Sequence, residues 1–329
     1  MRAVTYDRFG AAGDVLTLED VPTPDPSEGE VLVRIKTSGV NPSDVKVRAG
    51  GRPGVTAPPF PKIIPHSDGA GVIEAVGSGV AQTRVGERVW IWNGQWQRAF
   101  GTAAEYIALP AHQAVTLPDD VSFEVGATLG IPGLTAVQTV LGGGPVAGQR
   151  VLVSGGAGTV GHLAVQVAKA SGAHVVATAR GDAGCAAARK AGADAVLDYT
   201  DENLADAILD ATDGALIDRI VEVEFGANAE TNAAVIAERG TIAAYGSAKD
   251  MVPAMPFYPL MFKAVTLDLV LVYILSADER ARAIGHLTDL LNRRALDIRI
   301  SEALDLANCA RAHDMIATGE RAGSVVLRT

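Results

Sequence analysis

The sequence predicts an α/β protein made of a doubly wound parallel sheet and a separate β-rich domain, and three observations carry that prediction. A glycine-rich turn joins a short apolar run to an amphipathic run within residues 150–161. After it, strand-like and helix-like patterns alternate to about residue 271. Before residue 125 the chain reads as short strands punctuated by Gly and Pro, with little helical spacing.

From the start, residues 2–6 and 16–21 read as strands and a Pro-rich turn covers 22–28. Residues 30–37 alternate, so that Val31, Val33 and Ile35 share one face. Residues 38–50 follow with Asn41-Pro42 as a turn signal, and 50–65 are rich enough in Gly and Pro to form an irregular loop at the rim of a site. Residues 66–79, 87–92 and 103–109 are further glycine-punctuated strands, which together suit a compact barrel. Helical spacing then runs over 125–141 and stops at Gly142 to Gly144.

Val151, Leu152 and Val153 fit a strand buried on both faces of a parallel sheet. Gly156, Gly158 and Gly161 then match G-x-G-x-x-G: a tight turn, a close approach to pyrophosphate, and close packing of helix on strand. Val160, Leu163, Ala164, Val167 and Ala168 make one apolar helix face, and the helix start at Thr159 and Val160 presents amides and a positive dipole end to an anion. A strand at 174–178, a helix at 183–190, a stop at Gly192 and a strand at 195–197 complete a βαβαβ dinucleotide-binding unit. Strands at 217–223, at 241–245 (closed by Gly246 and Ser247) and at 266–271 follow, with helices at 227–237 and 278–293. The tail alternates strand, helix and strand and would return to the first domain. The expected division is 1–124 with 266–329, and 125–265.

At 329 residues, 48% hydrophobic, the chain can bury a large core. Its net charge of −10 opposes binding along a nucleic-acid backbone. Residues 1–10 lack a basic-then-apolar leader pattern, and the longest apolar stretch, about twelve residues interrupted by Asp268, is shorter than a membrane span. A cytoplasmic location without membrane partner is the expectation. With only Cys185 and Cys309, no cysteine-rich zinc site is expected.

Taken together, S-G-V-N-P-S-D at 38–44, P-H-S-D-G-A-G-V-I at 65–73, V-G-E-R-V at 85–89, A-E-Y at 104–106, G-I-P-G-L-T-A at 130–136, the glycine turn and A-G-A at 191–193 resemble the zinc-free quinone oxidoreductases. This is the zeta-crystallin-like branch of the medium-chain dehydrogenase/reductase superfamily. The resemblance covers essentially the whole chain. It implies a GroES-like catalytic domain built from the N-terminal part plus the tail, a six-stranded Rossmann domain, and a homodimer or homotetramer joined through the latter.

In zinc-dependent relatives a cysteine ligand falls where this chain has Asn41 and a histidine ligand where it has Ser67, and no cysteine lies near residues 131–135. A catalytic zinc needs about three such ligands, so no metal is expected. His66 with Asp68 and Glu105 is the one remaining combination, and a histidine beside prolines is more often a packed loop residue.

Arg180 stands at the end of the second strand, where NAD-preferring proteins usually carry an acid, and a guanidinium there suits the 2′-phosphate of NADPH. Tyr199 matches a family tyrosine beside that phosphate, while Gly184 stands where relatives often have a lysine. By resemblance Asn41 and Asp44 lie near the nicotinamide, Thr135 by its ribose or amide, and Gly246 and Ser247 line the same cleft. Asn41 would offer an amide to the developing oxyanion or simply form the turn before Pro42. Lys46 and Arg52 would attract a polar quinone, supply a proton, or be solvated. Trp90, Trp92 and Trp96 would wall an aromatic acceptor, fill core, or meet a partner subunit. The expected activity is reduction of a quinone by NADPH. An alkenal or enone reductase and a non-catalytic NADPH-binding structural or sensory protein are the alternatives.

Overall fold

The computed structural model describes residues 1–51, 54–319 and 321–329. They divide into two compact units, Met1–Ile131 with Ile298–Thr329, and Pro132–Asp297.

The first unit begins with β1 (Arg2–Thr5), α1 (Ala12–Val15) and β2 (Thr17–Asp20), β1 pairing antiparallel with β2. β3 (Glu30–Val40), α2 (Pro42–Arg48), β4 (Asp68–Val76), β5 (Arg88–Ile91), β6 (Tyr106–Pro110), β7 (Ala114–Thr116) and α3 (Phe123–Gly126) follow. The second unit holds α4 (Leu134–Leu141), β8 (Arg150–Val153), α5 (Thr159–Ala170), β9 (His174–Ala179), α6 (Gly181–Lys190), β10 (Ala195–Asp198), α7 (Leu204–Asp210) and β11 (Ile217–Glu222). It continues with α8 (Phe225–Val235), β12 (Ile236–Ala244), α9 (Phe257–Phe262), β13 (Thr266–Leu269) and α10 (Ala277–Asn292). The chain closes with β14 (Ile300–Asp305), α11 (Cys309–Thr318) and β15 (Ser324–Arg328).

Among the described residues the second unit's sheet runs β10-β9-β8-β11-β12-β13, every pair parallel. Renumbered within the sheet this is 3-2-1-4-5-6, the Rossmann order, with β8 central and the glycine turn at its C-terminal end. The apolar runs expected to be buried on both faces are buried: Val151, Leu152 and Val153 are at most 1% exposed. Helices α7 and α8 close one face over Ile208, Phe225 and Ala229.

In the first unit the sheet order is β14-β15-β3-β4-β5-β7, with β6 also pairing β3. Val31, Val33 and Ile35 share a buried face with Ile73, Val89, Ile91 and Ile107, as their alternation predicts. The tail does return: β15 lies antiparallel to β3 and parallel to β14.

Both expected boundaries move. Residues 266–297 belong to the dinucleotide-type unit, because β13 adds in parallel to β12 and α10 packs on α4. The apolar pattern of 266–271 fits a sixth strand and carries no mark of which domain owns it. Residues 125–131 stay with the first unit, since Ile131 donates its N–H to Asp68 and α3 packs on β3 and β4.

Val325, Val326 and Leu327 of β15 are fully buried. At about 1.5–3 kcal/mol each, their burial rivals the 5–15 kcal/mol net stability of a typical domain. A chain ending at Gly323 is expected to lose the cooperative thermal transition of the β-rich unit by circular dichroism; an unchanged melting curve would contradict this packing.

Candidate functional site

The glycine turn is held from three sides. Gly155 adopts φ 72° and donates its N–H to the Thr178 hydroxyl (3.1 Å), and the next amide, Gly156 N–H, goes to the Thr178 carbonyl (2.7 Å). Gly158 is the N-cap of α5, and the first intrahelical bond runs from His162 N–H to Gly158 O at 2.8 Å. The amides of Thr159, Val160 and Gly161 thus belong to the helix's first turn and face the loop. Gly161 is a strict requirement: a Cβ there would lie 2.1 Å from Gly155 O.

Arg180 ends β9 as the exposed N-cap residue of α6. Asp198 closes this corner by accepting from Gly181 N–H (3.1 Å) and from Thr200; hydrogen bonds to Thr200 and Gly181, then the charge of Arg180, hold its carboxyl below the usual range. Tyr199 is 39% exposed and Lys249 Nζ sits 5.6 Å from its ring centroid. Two cations and a phenol therefore border the C-terminal ends of β9, β10 and β12. Lys249 was not legible beforehand, because a lysine in a polar loop carries no local signal.

Gly246 and Ser247 follow β12. A Cβ on Gly246 would meet Val223 O at 2.4 Å, and Ser247 Oγ accepts from Gly226 N–H (2.9 Å), tying β12 to the start of α8. Beneath them lies Glu222, fully buried, which accepts from Ser154 Oγ (2.9 Å), Asn228 Nδ2 (2.9 Å), Asn232 Nδ2 (2.9 Å) and Glu224 N–H (2.6 Å). It pins the end of β8 to α8. Its only sequence signal is Asn228 and Asn232, four apart on one helix face. Thr135 is buried on α4, 5% exposed.

In the first unit Asn41 is the N-cap of α2, with Pro42 at the helix start. Its backbone N–H goes to Asp44 Oδ2 (2.8 Å), and its side-chain Nδ2 to Asp68 Oδ2 (2.9 Å). Asp68, fully buried, also accepts Ile131 N–H at 2.9 Å on both oxygens. Ile131 lies in a wide π-type turn, Leu129–Gly133, that contains Pro132; the turn diverts its N–H from the helix to the carboxylate. Gly130 leaves room for this approach, since a Cβ there would meet Asp68 Oδ1 at 2.1 Å. Desolvation, then the neighbouring Asp44, pushes the Asp68 carboxyl up; desolvation raises Asp44 to about 7 against hydrogen bonds from Asn41 and Ser67. Two carboxyls this close resist ionising together.

The other expected residues disperse. Lys46 is exposed on α2, and Arg52 lies outside the described residues. The tryptophans do not make an open wall. Trp90 is fully buried in β5 and Trp92 is 7% exposed against the tilted ring of His112 (5.6 Å); only Trp96 is half-buried, so core packing has claimed the cluster. Nor do His66, Asp68 and Glu105 converge. Glu105 pairs with Arg2 (3.1 Å), Asp68 with Asn41, and His66 turns inward to His313.

The strand order, the glycine turn and the β-rich unit define a two-domain dinucleotide-binding protein of the alcohol dehydrogenase type. Residues 27–119 match the alcohol dehydrogenase GroES-like domain and residues 159–288 the zinc-binding dehydrogenase family. Quinone oxidoreductase of Pseudomonas aeruginosa is 32% identical over 97% of this chain and 98% of its own length. Human quinone oxidoreductase is 34% identical over 62% of this chain, a match spanning 60% of that protein. A mycobacterial protein solved as a complex with NADPH is 30% identical, with TM-score 0.88 over all of both chains. The chain belongs to the quinone oxidoreductase branch of the medium-chain dehydrogenase/reductase superfamily.

The name of the second family implies zinc, and the residues here do not fit it. Asn41 presents an amide N–H to Asp68, both Asp68 oxygens are taken by Ile131, and position 67 is serine.

Asp44 supplies a pH test. Its native pKa near 7 exceeds the ordinary aspartate value of 3.8, so the folded state holds the proton longer and stability falls as pH rises between those values. Asp44→Asn keeps an acceptor for Asn41 and removes that loss. Its melting temperature relative to wild type is expected to climb between pH 5 and 8; a pH-independent difference would exclude the assignment.

Proposed function

We propose that this protein reduces a quinone with NADPH, without metal. The observation that carries the reading is the fixed amide of Asn41. Its nitrogen bears two hydrogens; Asp68 takes one, which leaves the other to offer to an acceptor oxygen that gains negative charge. When bound, NADPH supplies hydride from its dihydronicotinamide ring. The protein's part is to hold the dinucleotide and stabilise the reduced oxygen. A quinone suits such a site because it is electron-poor already and needs less polarisation than a simple ketone.

Arg180, Lys249 and Tyr199 support the choice of NADPH, since two cations beside a phenol suit a 2′-phosphate. The first-turn amides of α5 would take the pyrophosphate. The NADPH-bound mycobacterial neighbour is consistent with this. Charge-assisted contacts contribute about 1.5–3 kcal/mol. Arg180→Ala is therefore expected to raise KM for NADPH about 10- to 100-fold and leave KM for NADH nearly unchanged; equal kcat/KM for both cofactors, unaffected by the variant, would refute the assignment. In a steady-state panel of benzoquinones, alkenals and alcohols, quinones should give the highest kcat/KM. Asn41→Ala should lower kcat with benzoquinone about 10²-fold, as loss of an oxyanion donor does. Preference for alkenals would shift the reading to a double-bond reductase, and NADPH binding without turnover to a non-catalytic role.

The same reading includes self-association through the second unit. β13 is an edge strand of the parallel sheet, and Val252 (90%), Phe262 (78%), Leu269 (72%) and Ile274 (66%) leave large apolar side chains in water around it. Light scattering should give at least a dimer mass for wild type and a monomer for Leu269→Asp; a monomeric wild type would remove this proposal. No described helix is long and apolar enough to cross a membrane.

A further inference from the structure

One buried group of chemistry-bearing side chains takes no part in this reading. His66, at the N-terminal edge of β4, adopts φ 77°, a left-handed conformation uncommon for a non-glycine residue. Its side chain points into the first unit's interior towards α11. His66 Nε2 lies 2.9 Å from His313 Nε2 and 3.9 Å from Cys309 Sγ, and all three atoms lie within 4.8 Å of one another. His66 and His313 are fully buried and Cys309 is 1% exposed.

A hydrogen-bond relay fixes the first ligand. Thr102 Oγ1 donates to the Asp68 carbonyl (2.5 Å), so Ser38 Oγ must donate to Thr102 (2.8 Å) and accept from His66 Nδ1–H (2.9 Å). His66 Nε2 is then the unprotonated nitrogen, facing His313 Nε2 at 2.9 Å, the tautomer that an outer hydrogen bond gives a metal-ligating imidazole. A proton on His313 Nε2 fills the gap, and His313 Nδ1 is left without a hydrogen-bond partner among the described residues. Burial keeps both imidazoles neutral, taking His313 down to about 3, and pushes the Cys309 thiol up.

We propose that His66 Nε2, His313 Nε2 and Cys309 Sγ form a three-coordinate site for a soft monovalent cation of the cuprous class. A thiolate with two imidazoles is a soft set. Charge selects the monovalent ion. Cys309 shares a buried apolar cluster with Val40, Ile64, Ala312 and Val325, and the buried Asp44 and Arg48 both act electrostatically on its thiol. A +1 ion with a thiolate is neutral in this apolar cluster, whereas a divalent ion leaves a net charge to be desolvated there. Bond lengths of about 2.0–2.1 Å to imidazole and about 2.3 Å to thiolate in a trigonal arrangement place the nitrogens about 3.5–3.6 Å apart. From the 2.9 Å in the structure the two nitrogens need to separate by about 0.6–0.7 Å. On binding, the thiol proton leaves to solvent and the His313 proton moves from Nε2 to Nδ1; no electron is transferred.

The test is anaerobic incubation of the folded chain with Cu(I) buffered by excess bicinchoninate, followed by metal analysis and copper X-ray absorption. The expected result is one Cu(I) per chain with two nitrogen and one sulfur ligands. Binding should be unchanged in Cys185→Ser, which removes the half-buried second thiol, and weakened at least 100-fold in Cys309→Ser and His313→Gln. The wild-type spectrum stands alone if those variants fail to fold. No retained copper, copper that follows Cys185, a sulfur-only shell, or Zn(II) held by these ligands where Cu(I) is not would each overturn the proposal.

Discussion

The carboxylate of Asp68 is the interaction on which the first unit's site depends. Among the described residues no cation is bonded to it, and it offsets its desolvation by accepting from Asn41 and Ile131. An unpaired buried carboxylate is costly, so these donors and the acid constrain one another. The constraint reaches three elements at once: the cap of α2, the first residue of β4, and the π-type turn Leu129–Gly133. Gly130 follows from it as well, since any side chain there would displace the carboxylate. Asp44, one helical turn from Asn41, is drawn into the same electrostatic problem.

The second unit solves a parallel problem with Glu222. That buried acid also lacks a cation among the contacts described above and is satisfied by a hydroxyl, two amides and a backbone N–H. It fixes the C-terminal end of β8, where the glycine turn begins. Each unit therefore positions its part of the proposed chemistry through one desolvated carboxylate fed by neutral donors.

Periodicity made much of the fold legible. Val31, Val33 and Ile35 alternate because one face of β3 is buried, and the glycine spacing of 156, 158 and 161 reflects a helix start that tolerates no Cβ against Gly155 O. The boundaries were less legible, since the run at 266–269 looks the same whichever sheet it joins. Asn41 and Asp44 were visible as a motif, but the partner that orients Asn41 was not: Asp68 and Ile131 stand 63 residues apart, and such pairings leave no local pattern. His66 and His313, 247 residues apart, are the extreme case. The tryptophan cluster left a wall, core packing and a partner contact open, because density in sequence does not say which side of a strand is buried. Trp90 and Trp92 went to the core.

The central claim is that Asp68 acts on the reaction by holding Asn41. The most direct measurement is steady-state kinetics of Asp68→Asn with benzoquinone, together with NADPH affinity by fluorescence titration. The variant keeps the size of the side chain and replaces one of its two acceptor oxygens with a donor. The account predicts a fall in kcat of about 10²-fold, comparable to loss of an oxyanion donor, with NADPH affinity unchanged. An unchanged kcat in a folded variant would contradict it.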